Sequence, residues 1–284
     1  MNPGGYPWSN PELTDGEFEK ISRLVYEACG INLTEGKKEL LKARLGKVIR
    51  AGSFGSFREY YEHVVQDSSG QELVHLLDSV STNFTSFFRE PQHFEYLKSE
   101  FLPEVLGDKG RNGRKLRFWS AGCSSGEEPY SIIISLLESL ESPRGWDLQV
   151  LSTDLSSKVL KVAAAGIYPE GRIQTISPDL VKKYFLRGEN RWKGYVRVKD
   201  SLKKYLVFRR LNLMEPFSFA EPFDGIFCRN VMIYFDKPTQ ASLLNRFFQS
   251  LGRGGVLFIG HSESLAGIEH PFRYVQPATY RKEL

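Results

Sequence analysis

Acidic side chains follow two apolar segments, at positions where hydroxyl or cationic groups of a ligand could bind. Residues 116–121 are apolar, residues 122–126 are small and include two glycines, and Glu127 and Glu128 then open a helical pattern. The next apolar segment ends at Asp154. A strand, a glycine-containing turn and a helix form half of a nucleotide-binding βαβ unit. An acid after the second strand is well placed to accept hydrogen bonds from ribose hydroxyls.

The chemistry of this loop argues against a phosphate ligand. It contains no lysine and does not follow the GxGxxG pattern, and Glu127 and Glu128 would repel a pyrophosphate at the helix N-terminus. S-adenosylmethionine fits the acids better, because it carries a ribose, an ammonium group and a sulfonium but no phosphate. An ordinary structural turn is the alternative interpretation of this segment by itself.

Composition limits the class of protein. With 284 residues, the chain can bury the core of one large domain or two smaller ones. No apolar run has the length of a membrane span and the N-terminus lacks a signal-peptide core, so we expect a cytoplasmic protein without membrane insertion. The three cysteines lack zinc-ligand spacing. No metal is expected, since no ligand pattern is formed by His63, His75, His93 and His270.

The first 82 residues predict a small helical domain. Capping boxes at Thr14, Ser56 and Ser69 each precede apolar residues at helical spacing, and Thr34 opens a further helix. The helix after Thr34 is basic, with Lys38, Lys42, Arg44, Lys47 and Arg50.

Helical spacing turns Lys38, Lys42 and Arg50 away from the apolar stripe, so we expect an exposed basic side. A solvated helix face and a docking surface for an acidic helical partner both fit this pattern. Nucleic acid is disfavoured, because interleaved aromatic residues and a nucleic-acid-binding motif are missing.

The rest of the chain predicts a doubly wound α/β domain. After a linker at 83–92, strands and helices alternate over 93–284, which implies a parallel sheet covered by helices. A small antiparallel β insertion is expected at about 167–208, with strands at 195–198 and 205–208. Further sheet strands are predicted at 208–213, 225–228, 256–259, 273–275 and 279–281.

Four segments identify a family when taken together. They are residues 81–90 (STNFTSFFRE), the loop at 122–126, residues 228–236 (CRNVMIYFD) and residues 260–264 (GHSES). Their order resembles that of CheR-type chemotaxis methyltransferases, which transfer a methyl group from S-adenosylmethionine to receptor glutamates. The resemblance runs from about the first helix to the C-terminus. It implies a Rossmann-like methyltransferase domain, a receptor-recognition domain over 1–82 and a linker that contributes to the cofactor site.

The resemblance also assigns roles to individual residues. It implies cofactor contacts from Asn83, Thr85, Arg89, Glu128, Asp154, Asn212, Leu213, Arg229 and Asn230. Glu127 is the alternative to Glu128. Arg89 would also orient the acceptor carboxylate, and Tyr234 would place a hydroxyl and an aromatic face beside the sulfonium. A buried structural tyrosine is the competing interpretation of Tyr234, and His261 is expected to make structural hydrogen bonds.

The implied activity is protein-glutamate O-methylation of cytoplasmic chemoreceptor helices, with S-adenosylhomocysteine as product and the basic helix as receptor contact. Two alternatives stay open: a nucleic-acid methyltransferase and a module that binds the cofactor or its product without turnover. The first is disfavoured because residues 229–234 do not match the Asn/Asp-Pro-Pro-aromatic motif. Some family members hold a receptor's C-terminal peptide on the β insertion by strand addition. The Trp and charges within 187–194 fit both a peptide-binding and a purely structural insertion. We expect a monomer.

Overall fold

The computed structural model describes residues 11–81 and 84–283, without the side chains of 108–112. The chain divides into two compact units, Met1–Thr82 and Asn83–Leu284, called here the helical unit and the α/β unit. Among the described residues, no helix combines the length and the apolar character needed to cross a membrane.

Within its described residues, 11–81, the helical unit contains four helices, as predicted. They are α1 (Asp15–Cys29), α2 (Lys38–Ala51), α3 (Phe57–Gln66) and α4 (Gln71–Val80), and a 3-10 turn at Glu35–Lys37 precedes α2. Thr14 forms the predicted capping box with Glu17, and Ser56 accepts a hydrogen bond from the backbone N–H of Glu59. These local signals were sufficient because a cap depends on residues only three positions apart.

The third predicted capping box is wrong. Helix α4 begins after Gly70, which has no side chain that could cap it. The carboxylate of Asp67 instead accepts hydrogen bonds from the backbone N–H groups of Ser69 and Glu72, at 2.9 and 2.8 Å. An acid outside the predicted box therefore stabilises the start of this helix.

The α/β unit alternates helices and strands along the chain. Its elements are α5 (Pro91–Tyr96), a π-helical turn (Leu97–Phe101), α6 (Leu102–Asn112), β1 (Lys115–Ala121), α7 (Glu127–Ser139), β2 (Asp147–Asp154), α8 (Ser157–Ala165), β3 (Ile167–Pro169), α9 (Pro178–Tyr184), β4 (Phe185–Arg187), β5 (Tyr195–Val198), α10 (Asp200–Lys203), β6 (Leu206–Arg210), β7 (Phe223–Cys228), α11 (Lys237–Ser250), β8 (Leu251–Ile259), β9 (Arg273–Gln276) and β10 (Thr279–Arg281).

Seven strands form the main sheet, in the order β6-β2-β1-β7-β8-β10-β9. Strands β6, β2, β1, β7 and β8 run parallel to one another, while β10 is antiparallel to both β8 and β9. This arrangement confirms the predicted doubly wound fold. The carboxyl ends of the parallel strands meet at one edge, where open α/β sheets bind their ligands.

The small antiparallel sheet is also present, but one of its predicted strands is wrong. Its order is β3-β5-β4, so β5 pairs on both sides with segments that precede it. The predicted strand at 205–208 is instead part of β6, which pairs in parallel with β2 in the main sheet. Alternation along a strand predicts its faces but leaves its partner undetermined.

Candidate active site

A sharp turn joins β1 to α7 and lies against the segment that follows β7. The backbone N–H groups of Gly122 and Cys123 both donate to the carbonyl of Thr153, at 2.8 and 2.9 Å. Gly122 has φ +88°, and a Cβ there would lie 2.4 Å from Cγ2 of Val231. Gly126 has φ +99° and is similarly crowded. Both positions therefore require glycine for conformation and for space.

Asp154 ends β2 and is buried beside this turn. Its Oδ2 accepts a hydrogen bond from the backbone N–H of Ser124 at 2.8 Å, and its Oδ1 accepts one from Ser156 at 2.9 Å. Two backbone donors therefore hold the carboxylate in one orientation at the sheet edge. The carboxylate joins the turn after β1 to the start of α8.

The two acids at the start of α7 have different surroundings. Glu128 accepts hydrogen bonds from Ser120 Oγ and from Arg229 Nε, each at 2.6 Å. Glu127 is fully buried and accepts one bond from Ser125 Oγ through Oε2. Its Oε1 lies 3.4 Å from Arg172 Nη1 and has no hydrogen-bond partner among the described residues. Burial removes water from Glu127 and so raises its pKa. A positively charged ligand group beside Oε1 would stabilise the ionised carboxylate in place of that water.

The guanidinium of Arg229 joins three segments at the sheet edge. Besides Glu128, it contacts the carbonyl of Arg89, and its Nη1 lies 3.3 Å from Nδ1 of His93 and 3.5 Å from Oε2 of Glu90. Only 2% of the side chain is exposed, and it packs over two phenylalanine rings. Arg229 therefore holds the linker segment against the start of α7.

His93 lies in a group of potential metal-ligand side chains that differs from the four histidines considered in the sequence, because its neighbours here are Glu90 and His261. Potential ligand atoms of Glu90, His93 and His261 all lie within 4.8 Å of one another. Burial, followed by the nearby Arg229 and His261, lowers the pKa of His93 to about 3, so its ring is neutral. Arg229 donates to this ring and lies near Glu90, so a guanidinium already supplies the cation that these groups would attract. We assign the group to holding Arg229.

The linker contributes backbone and side-chain groups to the same region. Asn83 lies outside the described residues. Thr85 is buried, and its carbonyl accepts a hydrogen bond from Arg172 Nη1 at 2.7 Å. Arg89 is half-buried and donates to the carbonyl of Phe84 at 2.9 Å, with its guanidinium over the Phe84 ring.

Asn212 and Leu213 follow β6, next to the end of β2. The backbone N–H of Leu211 donates to the carbonyl of Asp154 at 3.1 Å, which brings the two segments together. Asn212 Oδ1 accepts a hydrogen bond from the N–H of Met214, and both predicted contact residues are buried. The structure thus brings one polar and one apolar side chain close to the strand-end acid.

Asn230 and Tyr234 lie on the turn that follows β7. Asn230 has φ +58°, and its backbone N–H donates to Glu263 Oε2 at 2.9 Å. Tyr234 ends the 3-10 turn Met232–Tyr234 and is half-buried. Partial exposure favours a ring at the rim of the site over the competing interpretation as a buried core residue.

Three residues of this site escaped the sequence analysis as contributors: Glu90, Arg172 and Glu263. Glu90 and Glu263 lie within two of the motifs that carry the family resemblance, but the resemblance and the local pattern assign roles only to their neighbours Arg89 and His261. Arg172 lies in the β insertion and contacts the linker at Thr85. Their place in the motifs at 81–90 and 260–264 could have identified Glu90 and Glu263 from sequence, whereas Arg172 lies in no motif.

The basic helix α2 differs in part from its prediction. Lys47 and Arg50 are exposed, but Lys38 and Lys42 are half-buried. Lys38 forms an ion pair with an acidic residue of α1, and Arg44 donates to a backbone carbonyl at the end of α4. The exposed positive charge therefore lies mainly in the second half of the helix, while Lys38 in the first turn is paired with Asp15 of α1.

Comparison with known proteins agrees with this architecture. Residues 16–81 match the family model described as the CheR methyltransferase all-alpha domain, and residues 83–281 match the CheR methyltransferase SAM-binding domain. A chemotaxis protein methyltransferase from Borreliella burgdorferi is 42% identical over 277 residues, covering 96% of each chain.

Two further relatives show the same breadth of similarity. A probable chemotaxis protein methyltransferase from Rhizobium etli is 41% identical, covering 91% of this chain and 96% of the relative. The chemotaxis protein methyltransferase of Escherichia coli is 37% identical, covering 92% and 88%. The chain therefore belongs to the CheR family of S-adenosylmethionine-dependent methyltransferases.

Proposed function

We propose that this protein transfers a methyl group from S-adenosylmethionine to glutamate side chains on cytoplasmic helices of chemoreceptors. The products are glutamate methyl esters and S-adenosylhomocysteine. The single observation that supports this best is the meeting of Asp154, the acidic start of α7 and the 229–234 turn at one sheet edge of a CheR-family chain.

The donor and acceptor groups at this edge fit the cofactor. The fixed carboxylate of Asp154 suits the ribose hydroxyls, and the buried Oε1 of Glu127 suits the ammonium group. Both oxygens of Glu128 already accept hydrogen bonds from protein groups, so we propose Glu127 for the ammonium contact and Glu128 as the support of Arg229. The other proposed cofactor contacts are Asn83, Thr85, Arg89, Asn212, Leu213, Arg229 and Asn230.

Methyl transfer to a carboxylate depends more on the alignment of the reacting atoms than on proton transfer. A glutamate acceptor is ionised near neutral pH, so the chain need not supply a strong base. When bound, S-adenosylmethionine supplies a methyl carbon on a cationic sulfur; the acceptor oxygen bonds to that carbon, and the electron pair of the broken bond stays on sulfur. The chain's part is to align the acceptor and to exclude water, since opposite charges disappear in this step.

Arg89 and Tyr234 are the proposed residues for this alignment. Arg89 has a guanidinium that can bind a carboxylate through two parallel hydrogen bonds. Its present contact is a backbone carbonyl at the half-exposed linker, which an entering carboxylate could replace. Tyr234 would direct its hydroxyl and ring toward the reacting groups.

The helical unit is the proposed receptor-recognition domain. Lys47 and Arg50 offer exposed positive charge on α2, with Lys38, Lys42 and Arg44 on the same helix. Acceptor segments rich in glutamate would be attracted to such a surface, and salt would screen that attraction over about 8 Å at physiological ionic strength.

The β insertion is the proposed second receptor contact. Strand β4 is an edge strand, and a cavity of about 750 Å³ lies beside it. Apolar side chains line it together with Glu170, Gln174, Lys182, Arg187 and Lys199. A receptor's C-terminal peptide could add to this edge through backbone hydrogen bonds. Competition by the free peptide against receptor methylation tests this contact, and methylation unaffected by saturating peptide refutes it.

Incubation with radiolabelled S-adenosylmethionine and receptor-containing membranes tests the main proposal. We expect label on the receptor that is released as methanol by mild base, because methyl esters are base-labile. Membranes that lack receptors serve as the control. Base-stable label on nucleic acid would support a nucleic-acid methyltransferase, and cofactor binding without any transfer would support a module without turnover.

A further inference from the structure

The turn that follows β8 is joined to the turn that follows β7 by the carboxylate of Glu263. Oε2 of Glu263 accepts hydrogen bonds from the backbone N–H groups of Asn230 at 2.9 Å and Gly260 at 2.5 Å. Oε1 accepts one from the N–H of Ile233 at 3.1 Å. Burial raises the pKa of Glu263, and the backbone donors oppose that rise. A carboxylate that accepts three backbone bonds is well suited to fix the conformation of both turns.

Glu263 holds a left-handed backbone conformation at Asn230 and a close approach of the two turns. Asn230 has φ +58°, in a region that asparagine adopts more readily than other non-glycine residues but that is still uncommon. A Cβ on Gly260 would lie 2.5 Å from Nδ2 and 2.8 Å from N of Asn230, so the two turns approach too closely for a larger residue. Such a conformation persists where surrounding contacts enforce it.

The residues fixed in this way flank the proposed reacting groups. Asn230 is a proposed cofactor contact, and Ile233 directly precedes Tyr234. The same turn after β8 also contacts the linker, because the backbone N–H of His261 donates to Glu90 Oε1 at 3.1 Å. One short turn is thereby connected to both segments from which the proposed catalytic side chains project.

We propose that Glu263 is a positioning residue for methyl transfer, acting by holding the backbone of Asn230 and Ile233. This inference rests on the proposed function, and it goes beyond it by assigning a role to a residue that is not among the proposed cofactor and acceptor contacts. A glutamine cannot replace it. Its amide has one acceptor oxygen, so its NH₂ group would face at least one of the backbone donors.

Calorimetry with S-adenosylhomocysteine gives the first test, because it depends on the cofactor site alone. Glu263→Gln should weaken binding about tenfold, while the exposed Glu269→Gln, a matched loss of one carboxylate, should bind like the wild type. If Glu263 acts through Asn230, the double variant with Asn230→Ala should bind no more weakly than Asn230→Ala alone, within about twofold. Wild-type affinity of Glu263→Gln, or losses that multiply, would overturn the inference.

Single-turnover methylation gives the second test. Glu263→Gln should lower the rate, and its effect should shrink when it is combined with Tyr234→Phe, since both changes act on one turn. If thermal unfolding shows that Glu263→Gln does not fold, Glu263→Asp replaces it, because aspartate keeps the charge on a shorter side chain. The calorimetric comparison with Asn230→Ala and the kinetic comparison with Tyr234→Phe are then made with that variant. Absence of receptor label with the wild type and Glu269→Gln would refute the proposed function, whereas the calorimetric comparison would still decide the role of Glu263.

Discussion

Glu128→Gln isolates the ion pair that joins α7 to the turn after β7. In the wild type, Glu128 Oε2 accepts from Arg229 Nε at 2.6 Å, and Oε1 accepts from Ser120 Oγ at the same distance. The glutamine keeps the shape of the side chain but removes its charge and one of its two acceptor oxygens. The guanidinium of Arg229 then stays buried, with Glu90 at 3.5 Å as its nearest remaining carboxylate.

The magnitude follows from the burial of the pair. The side chains of Arg229 and Glu128 are 2% and 8% exposed, so water cannot replace the lost partner. Removing one member of a buried pair costs about 3–5 kcal/mol. Glu90 offsets part of this loss, so we expect the free energy of unfolding of the α/β unit to fall by about 3 kcal/mol. With a urea slope of about 3 kcal/mol per M, the midpoint should fall by about 1 M.

Urea unfolding followed by tryptophan fluorescence measures this change, because Trp119 is fully buried in the α/β unit. Asp200→Asn is the matched control. It neutralises an acid of the same unit whose pair with Arg197, at 3.6 Å, is exposed, and exposed pairs contribute little. Equal midpoints for Glu128→Gln and Asp200→Asn would refute the reasoning. So would a change in slope without a lower midpoint, since slope reports the surface exposed on unfolding.

Three further outcomes are expected. Asp154→Asn should weaken S-adenosylhomocysteine binding by about 1–3 kcal/mol in calorimetry, and an unchanged affinity would contradict the ribose contact. Burial lowers the pKa of His93 to about 3, so the stability that its neutral ring contributes is present above about pH 6.5 and is lost as the pH falls. Below about pH 6.5, the free energy of unfolding of the wild type should therefore fall by up to about 1.4 kcal/mol per pH unit more than that of His93→Gln. Lys47→Glu with Arg50→Glu should lower receptor methylation and flatten its salt dependence at unchanged cofactor affinity; wild-type rates at every salt concentration would leave α2 as a solvated face.

The features that sequence predicted well depend on neighbours along the chain. The caps at Thr14 and Ser56, the glycine turn after β1 and the alternation of the main sheet all involve short segments with local preferences. The strand at 205–208 was also recognised as a strand, but its partner was wrong. Strand propensity describes a half-buried surface and does not identify which strand lies beside it.

The parts of the site that sequence missed depend on contacts between distant residues. Glu90 contacts His261 across 171 positions, and Arg229 contacts Glu128 across 101. No periodicity reveals such pairs, because they form only when the sheet aligns the ends of its strands. The family resemblance could place Glu128 among the site residues. Only the fold shows that both oxygens of Glu128 already accept hydrogen bonds, one from Ser120 and one from Arg229.

The reaction proposed here has opposing electrostatic requirements. Glu127, Glu128 and Asp154 suit a cationic cofactor, yet the same acids repel a glutamate that must approach it. Arg229 offsets part of this negative charge from within, held by Glu128 and by the neutral ring of His93. In the proposed site, the sulfonium of bound S-adenosylmethionine would add positive charge toward the acceptor, and Arg89, which is half-buried on the linker, would add more. A neutral His93 fits this arrangement, because a charged ring beside Arg229 would drive the guanidinium away from the linker that it holds.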